Sequence, residues 1–98
     1  MLDNYTIDSL TELVGSSFEV ISNEKSPFTL TLKDVSVHVN TPNHQNFSLY
    51  FQGPLDHFLA QGIYQLDHPT LGSSELFLVP ISKDSNGYLY EAVFNLIS

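Results

Sequence analysis

The sequence predicts a mainly β protein: a small antiparallel barrel or sandwich of about six to seven strands with a short N-terminal helix. Three observations predict it. From Phe18 onward apolar residues alternate with polar ones at a period of two. Turn residues interrupt these runs at close intervals, at Ser26-Pro27, Thr41-Pro42-Asn43, Gly53-Pro54, Pro69 with Gly72, and Asp84-Ser85-Asn86-Gly87. Before residue 54, helical spacing appears only ahead of Gly15.

In that opening segment Ile7, Leu10, Leu13 and Val14 make one apolar stripe. Ser9 and Glu12 have the spacing of a capping box, with Thr6 or Asp8 as alternative caps, and Gly15 is a natural stop. A helix this short is stable only when docked on another element. Phe18 and Val20 then begin a strand, and SNEKSP is a turn. Phe28, Leu30 and Leu32 are followed by Val35, Val37 and Val39, whose parity is opposite, so a bulge or bend at Lys33-Asp34 is needed to keep one apolar face.

Phe47, Leu49 and Phe51 face one way and Ser48, Tyr50 and Gln52 the other. Pro54 suits the first turn of a short helix over 54–59, ended by Gly62. Tyr64, Leu66 and His68 share a strand face. Residues 76–81 are apolar on both faces, as expected of a central strand, and so is the last strand, 88–97. The DSNG between them is a hairpin signal.

The 98 residues make one domain, with one modest core. Eleven acids face Lys25, Lys33 and Lys83, with no arginine, for a net charge of −8. Such a field argues against nucleic acid, whose phosphates need Lys and Arg, and against anionic membrane surfaces. It attracts and steers a basic protein. The chain has no cysteine, which removes disulfides, thiolate metal sites and cysteine nucleophiles together. MLDNYTIDSLTELVG has neither a basic n-region nor an apolar h-region, and no apolar run approaches the roughly 20 residues of a membrane span. A cytoplasmic location is expected.

The tripeptide Leu55-Asp56-His57 returns as Leu66-Asp67-His68, and carboxylate beside imidazole is common material for acid–base chemistry. On a strand, however, Asp67 and His68 point to opposite faces. His68 falls on the Tyr64–Leu66 face, where a core imidazole bonded to a turn backbone is the ordinary explanation. The histidines His38, His44, His57 and His68 lie on separate segments without the spacing of a zinc site. Asp84-Ser85-Asn86-Gly87 begins like a calcium loop, but its glycine comes early and no acid closes it. No GxSxG, P-loop or GxGxxG is present. No catalytic, metal or cofactor residue is assigned, and the chain reads as a binding protein rather than an enzyme.

FSLYFQGPLDHFLAQGIYQLDHPTLGSSELFLVPI, followed by GYLYEAVFN, resembles an uncharacterised family of small bacterial proteins, a domain of unknown function. The match covers about half the chain. In that family's pattern an arginine often stands where this chain has Gln52. The resemblance implies a β-fold and brings no activity. By profile alone, a small acidic cysteine-free protein is similar to the immunity proteins of contact-dependent growth inhibition systems.

The leading expectation is an acidic module, monomer or weak oligomer, that neutralises a basic protein partner such as a toxin domain. Its contact residues are expected among Asp34, Tyr50, Asp56, Asp67, Glu75, Tyr88 and Glu91: carboxylates for Lys and Arg, and tyrosines because they are enriched at binding hot spots. Two other expectations stand beside it. One is an accessory subunit of a phage-tail-like or secreted assembly. The other is a small ligand-binding barrel with His68 at its mouth.

Overall fold

A computed structural model describes residues 6–21 and 28–97. The turn expected over 22–27 lies outside these residues. One short helix, α1 (Ile7–Thr11), precedes six strands: β1 (Ser17–Ile21), β2 (Thr29–Thr41), β3 (His44–Gly53), β4 (Gly62–His68), β5 (Gly72–Asp84) and β6 (Gly87–Ile97). All pairings are antiparallel, and the strands close in the order β1-β2-β3-β6-β5-β4.

The alternation of the sequence becomes an inside and an outside. Phe18, Val20, Leu30, Leu32, Phe47, Leu49, Phe51, Leu66, Leu76, Leu78, Tyr90 and Ala92 fill the interior. Among them Phe18 meets Phe51 edge to face, with centroids 5.2 Å apart, and Phe47 stacks on Phe94 at 5.1 Å. The parity change in β2 is absorbed by a register shift between Leu32 and Asp34, where it was expected. A second shift, between Val37 and Val39, has no counterpart in the sequence reading.

Thr6 caps α1. Its hydroxyl accepts the Ser9 N–H at 3.1 Å, and Ser9 Oγ accepts the Thr6 N–H at 3.0 Å. The helix packs on β2 and places Ile7 and Leu10 in the core, while Val14 of the expected stripe is exposed. Gly15, at φ 96°, ends the turn and donates its N–H to Leu32 O at 2.7 Å.

Other expectations change. Residues 54–61 form turns and extended backbone, not a helix. The Leu59 N–H goes to the buried Tyr90 hydroxyl at 2.9 Å, so side-chain bonding replaces a helical carbonyl there. β5 lies between β4 and β6, yet its residues switch neighbour: 72–78 ladder with β4, and 79–84 with β6. Among the described residues no element packs over the outer face of β5, so its outward apolar residues Phe77 and Ile81 are exposed instead of covered. Tyr90 points wholly into the core; Tyr88, on the same side, is half-buried against Phe58.

His68 is buried, and it bonds both its own turn and a distant segment. Nδ1 accepts the N–H groups of Thr70 and Leu71, at 3.0 and 3.3 Å, which leaves Nε2–H to donate to Ser16 Oγ at 3.0 Å. Ser16 passes its own hydroxyl proton to Leu13 O at 2.6 Å. The imidazole thus ties the β4–β5 turn to the end of the helical segment. The earlier copy of the tripeptide has the opposite setting: Leu55 and Asp56 are exposed, and His57 stacks on Phe28 at 4.5 Å.

Two stability predictions follow from these bonds. Removing the imidazole in His68→Ala strips two backbone donors of their acceptor and should cost about 1–3 kcal/mol in urea unfolding, where a surface histidine would show almost no change. Gly87 sits at φ 138°, and a Cβ there would come within 2.0 Å of Gly53 O. Gly87→Ala should therefore lower stability by at least about 2 kcal/mol and depress Tm by roughly 8 °C or more. An unchanged melting curve would contradict that packing.

Candidate partner interface

β3 is paired with β6 along its whole length and with β2 along most of it, so its outward residues form rows that cross all three strands. One row holds three residues expected to meet a partner. Asp34 stands opposite Tyr50, and Tyr50 opposite Glu91. The Tyr50 hydroxyl donates to Glu91 Oε2 at 3.0 Å. That bond holds the phenol above its usual pKa; partial burial and the negative charges of Glu91 and Asp34 push the same way, while Ser48 opposes them. The row presents a phenol between two carboxylates on one sheet face.

Farther along this face His44 and Asn46 are polar as well, while the row between them and Tyr50 carries the exposed Val93 opposite Ser48. His44 Nε2 lies 2.7 Å from Asn95 Oδ1, and Asn46 donates to the same oxygen at 3.4 Å. The bulge between Val37 and Val39 brings His38 Nε2 to 3.3 Å from Ser48 Oγ. A serine beside an imidazole invites a nucleophilic reading, but Ser48 is 1 % exposed, and that chemistry needs an accessible oxygen with an oxyanion hole beside it. The sequence did not pair these residues, because the register between distant strands is not written in either strand alone.

The remaining expected residues lie elsewhere. Asp67 and Glu75 project from the outer face of β4 and β5, where Glu19 stands opposite Asp67 and Gln65 opposite Glu75. Asp67 accepts the Ser73 hydroxyl at 3.2 Å. Glu19 was not singled out from the sequence, although its place between Phe18 and Val20 already put it outside.

Asp56 and Tyr88 sit at the end of the ring near 54–61. His57 Nδ1, 3.1 Å from Asp56 Oδ1, and Asp56's own backbone N–H hold that carboxyl below the usual range. Lys83 Nζ lies 5.5 Å from the centre of the Tyr88 ring. A cleft of about 480 Å³ opens beside them, lined in part by Thr29, Gln52, Asp56, His57 and Asn86. Among the described residues no three His, Asp or Glu side chains gather as metal ligands, and no carboxylate pairs with a lysine. No helix among them is long and apolar enough to cross a membrane.

A family model described as a domain of unknown function, DUF6916, matches residues 5–94. The chain belongs to this family. The DUF6916 match reaches well beyond the region that carried the resemblance and takes in α1, β1 and β2. No curated protein and no solved structure matches the chain.

The Tyr50–Glu91 bond gives a pH signature. A phenol whose folded pKa is raised contributes stability that is complete below the unfolded tyrosine value, near 10, and is lost as pH rises through the folded value. Tyr50→Phe removes that bond, so it should lower stability by a near-constant amount through the neutral range and flatten the alkaline fall of the profile. In NMR titrations of the Tyr50 ring, Glu91→Ala should bring the transition down toward the ordinary phenol range. A transition unmoved by that substitution would refute the assignment.

Proposed function

We propose that this chain is an acidic protein-binding module that neutralises a basic protein partner, most concretely a cytoplasmic immunity protein that occludes a bacterial toxin. The observation that carries the reading is the Asp34–Tyr50–Glu91 row. Two carboxylates flank an aromatic hydroxyl on a sheet face where, among the described residues, no lysine forms an ion pair with them. Lys and Arg side chains of a partner supply the missing charge, and the phenol supplies rigid amphipathic contact area. Eleven acids against three lysines give the long-range field that draws such a partner in.

The mechanism is steric. The partner's basic functional surface is covered by a carboxylate-bearing sheet whose own charges are already in place, so little ordering accompanies docking. Long-range attraction raises the association rate, and close contact sets the lifetime of the complex.

An accessory subunit of a larger assembly is the second reading, favoured by the exposed apolar residues Ile63, Phe77, Val93 and Ile97. Clean monomeric behaviour in gel filtration would count against its self-associating form. For the ligand-binding reading, the ring interior is already occupied by side chains such as Leu30, Phe51, Leu78 and Tyr90, so space for a ligand lies in surface clefts such as the one beside His57.

The test is capture of partners by the tagged chain from its native cells, followed by binding kinetics at several salt concentrations. One basic stoichiometric partner is expected, with an association rate that falls steeply as salt rises. The Asp34→Asn, Glu91→Gln double variant should slow association several-fold without unfolding the chain. Affinity indifferent to both salt and these substitutions would sink the electrostatic mechanism.

A further inference from the structure

β5 and β6 part company above the Val79–Glu91 pair. Beyond it, among the described residues, 72–78 ladder only with β4 and 92–97 only with β3. Among the described residues, each strand therefore turns toward the gap a row of backbone N–H and C=O groups that have no ladder partner. The gap is a groove of about 270 Å³. Residues 92–96 of β6 form one wall, and Ile63 with residues 75–77 forms the other. Its lining reaches the core at Leu76, Ala92 and Phe94. Outside, Ile63 is 68 % exposed, Phe77 50 % and Val93 61 %. Glu75 stands in the β5 wall, and Glu91 marks the foot of the split.

We propose that this groove accepts an extended segment of the basic partner as an added strand along β6. The inference rests on the preceding reading that the partner is basic, and it names the docking mode. An added strand satisfies the open edge groups of residues 92–97, which is how peptides join exposed sheet edges. Its side chains alternate. Those facing inward must be apolar, because they meet Leu76 and Phe94. Those facing outward are best served by Lys or Arg, whose aliphatic stems cover Phe77 and Val93 while the charged ends reach Glu75 and Glu91. Charge separates this occupant from a second copy of the chain. Two copies, each at −8, would bring carboxylates against carboxylates at this edge.

The experiment uses the full chain and a synthetic peptide of about eight residues in which lysine and valine alternate, long enough for one strand. The controls are a peptide of the same composition with lysines and valines in separate blocks, and one alternating glutamate and valine. Backbone hydrogen exchange is expected to slow over 72–78 and 92–97 with the alternating lysine peptide alone. The Phe77→Lys, Val93→Lys double variant changes exposed side chains only; it should keep its circular dichroism and bind the peptide at least about tenfold more weakly.

Protection of residues 33–41 of β2 instead, whose edge away from β3 pairs with no strand among the described residues, or equal binding of the block peptide, would overturn the proposal. So would protection of 92–97 that grows with chain concentration in the absence of peptide, since the occupant would then be a second copy. If a basic partner still binds in a manner sensitive to Asp34→Asn while the alternating peptide does not bind, the groove proposal fails and neutralisation stands. If neither binds, both fail.

Discussion

The two-sided ladder of β3 is the constraint from which the rest of the structure follows. Its residues meet β6 from His44 opposite Ile97 to Gly53 opposite Tyr88, and meet β2 on the other edge. Because successive side chains alternate, that register decides together that Phe47, Leu49 and Phe51 face the core and that Tyr50 faces out between Asp34 and Glu91. A slip of one residue would bury the phenol and expose the phenylalanines, an exchange of several kcal/mol at about 1.5–3 kcal/mol for each large apolar side chain. The acidic row and the core are two faces of one pairing.

The ends of the ring are held by side chains reaching backbone. At one end the Tyr90 hydroxyl takes the Leu59 N–H, and at the other His68 takes the N–H groups of Thr70 and Leu71. Both acceptors are buried where water cannot substitute, so each loop is fixed in place by one polar atom inside an apolar environment. The structure thereby places polar residues in its core without leaving their groups unmatched, and the described residues include no buried side-chain polar atom lacking a partner.

Much of this was legible in the sequence, because period-two patterning reports a local property. The faces of β1, β3 and β4, the bulge at Lys33-Asp34, the DSNG hairpin and the core position of His68 all follow from spacing within single segments. What could not be read is what depends on pairs of segments. The meeting of Asp34, Tyr50 and Glu91 requires two registers between strands far apart in the chain. The 54–59 segment carries a good helix opener in Pro54, but a tyrosine hydroxyl more than thirty residues away decides its conformation. Residues 76–81 are as apolar as a covered strand should be, yet among the described residues no second layer lies over the outer face of the sheet there, which leaves Phe77 and Ile81 in the open.

The same long reach of β3 sets the order in which the molecule can assemble. Tyr50 and its acceptor Glu91 stand 41 residues apart, and every rung of the β3–β6 ladder spans a comparable interval. During synthesis the β2–β3 hairpin emerges well before β6, with one edge of its central strand bare and Phe47, Leu49 and Phe51 uncovered. Ring closure waits for the last strand, and folding dominated by such distant pairings runs on the slow scale of roughly milliseconds to seconds. In that interval a net charge of −8 disfavours contact between the apolar strands of neighbouring copies.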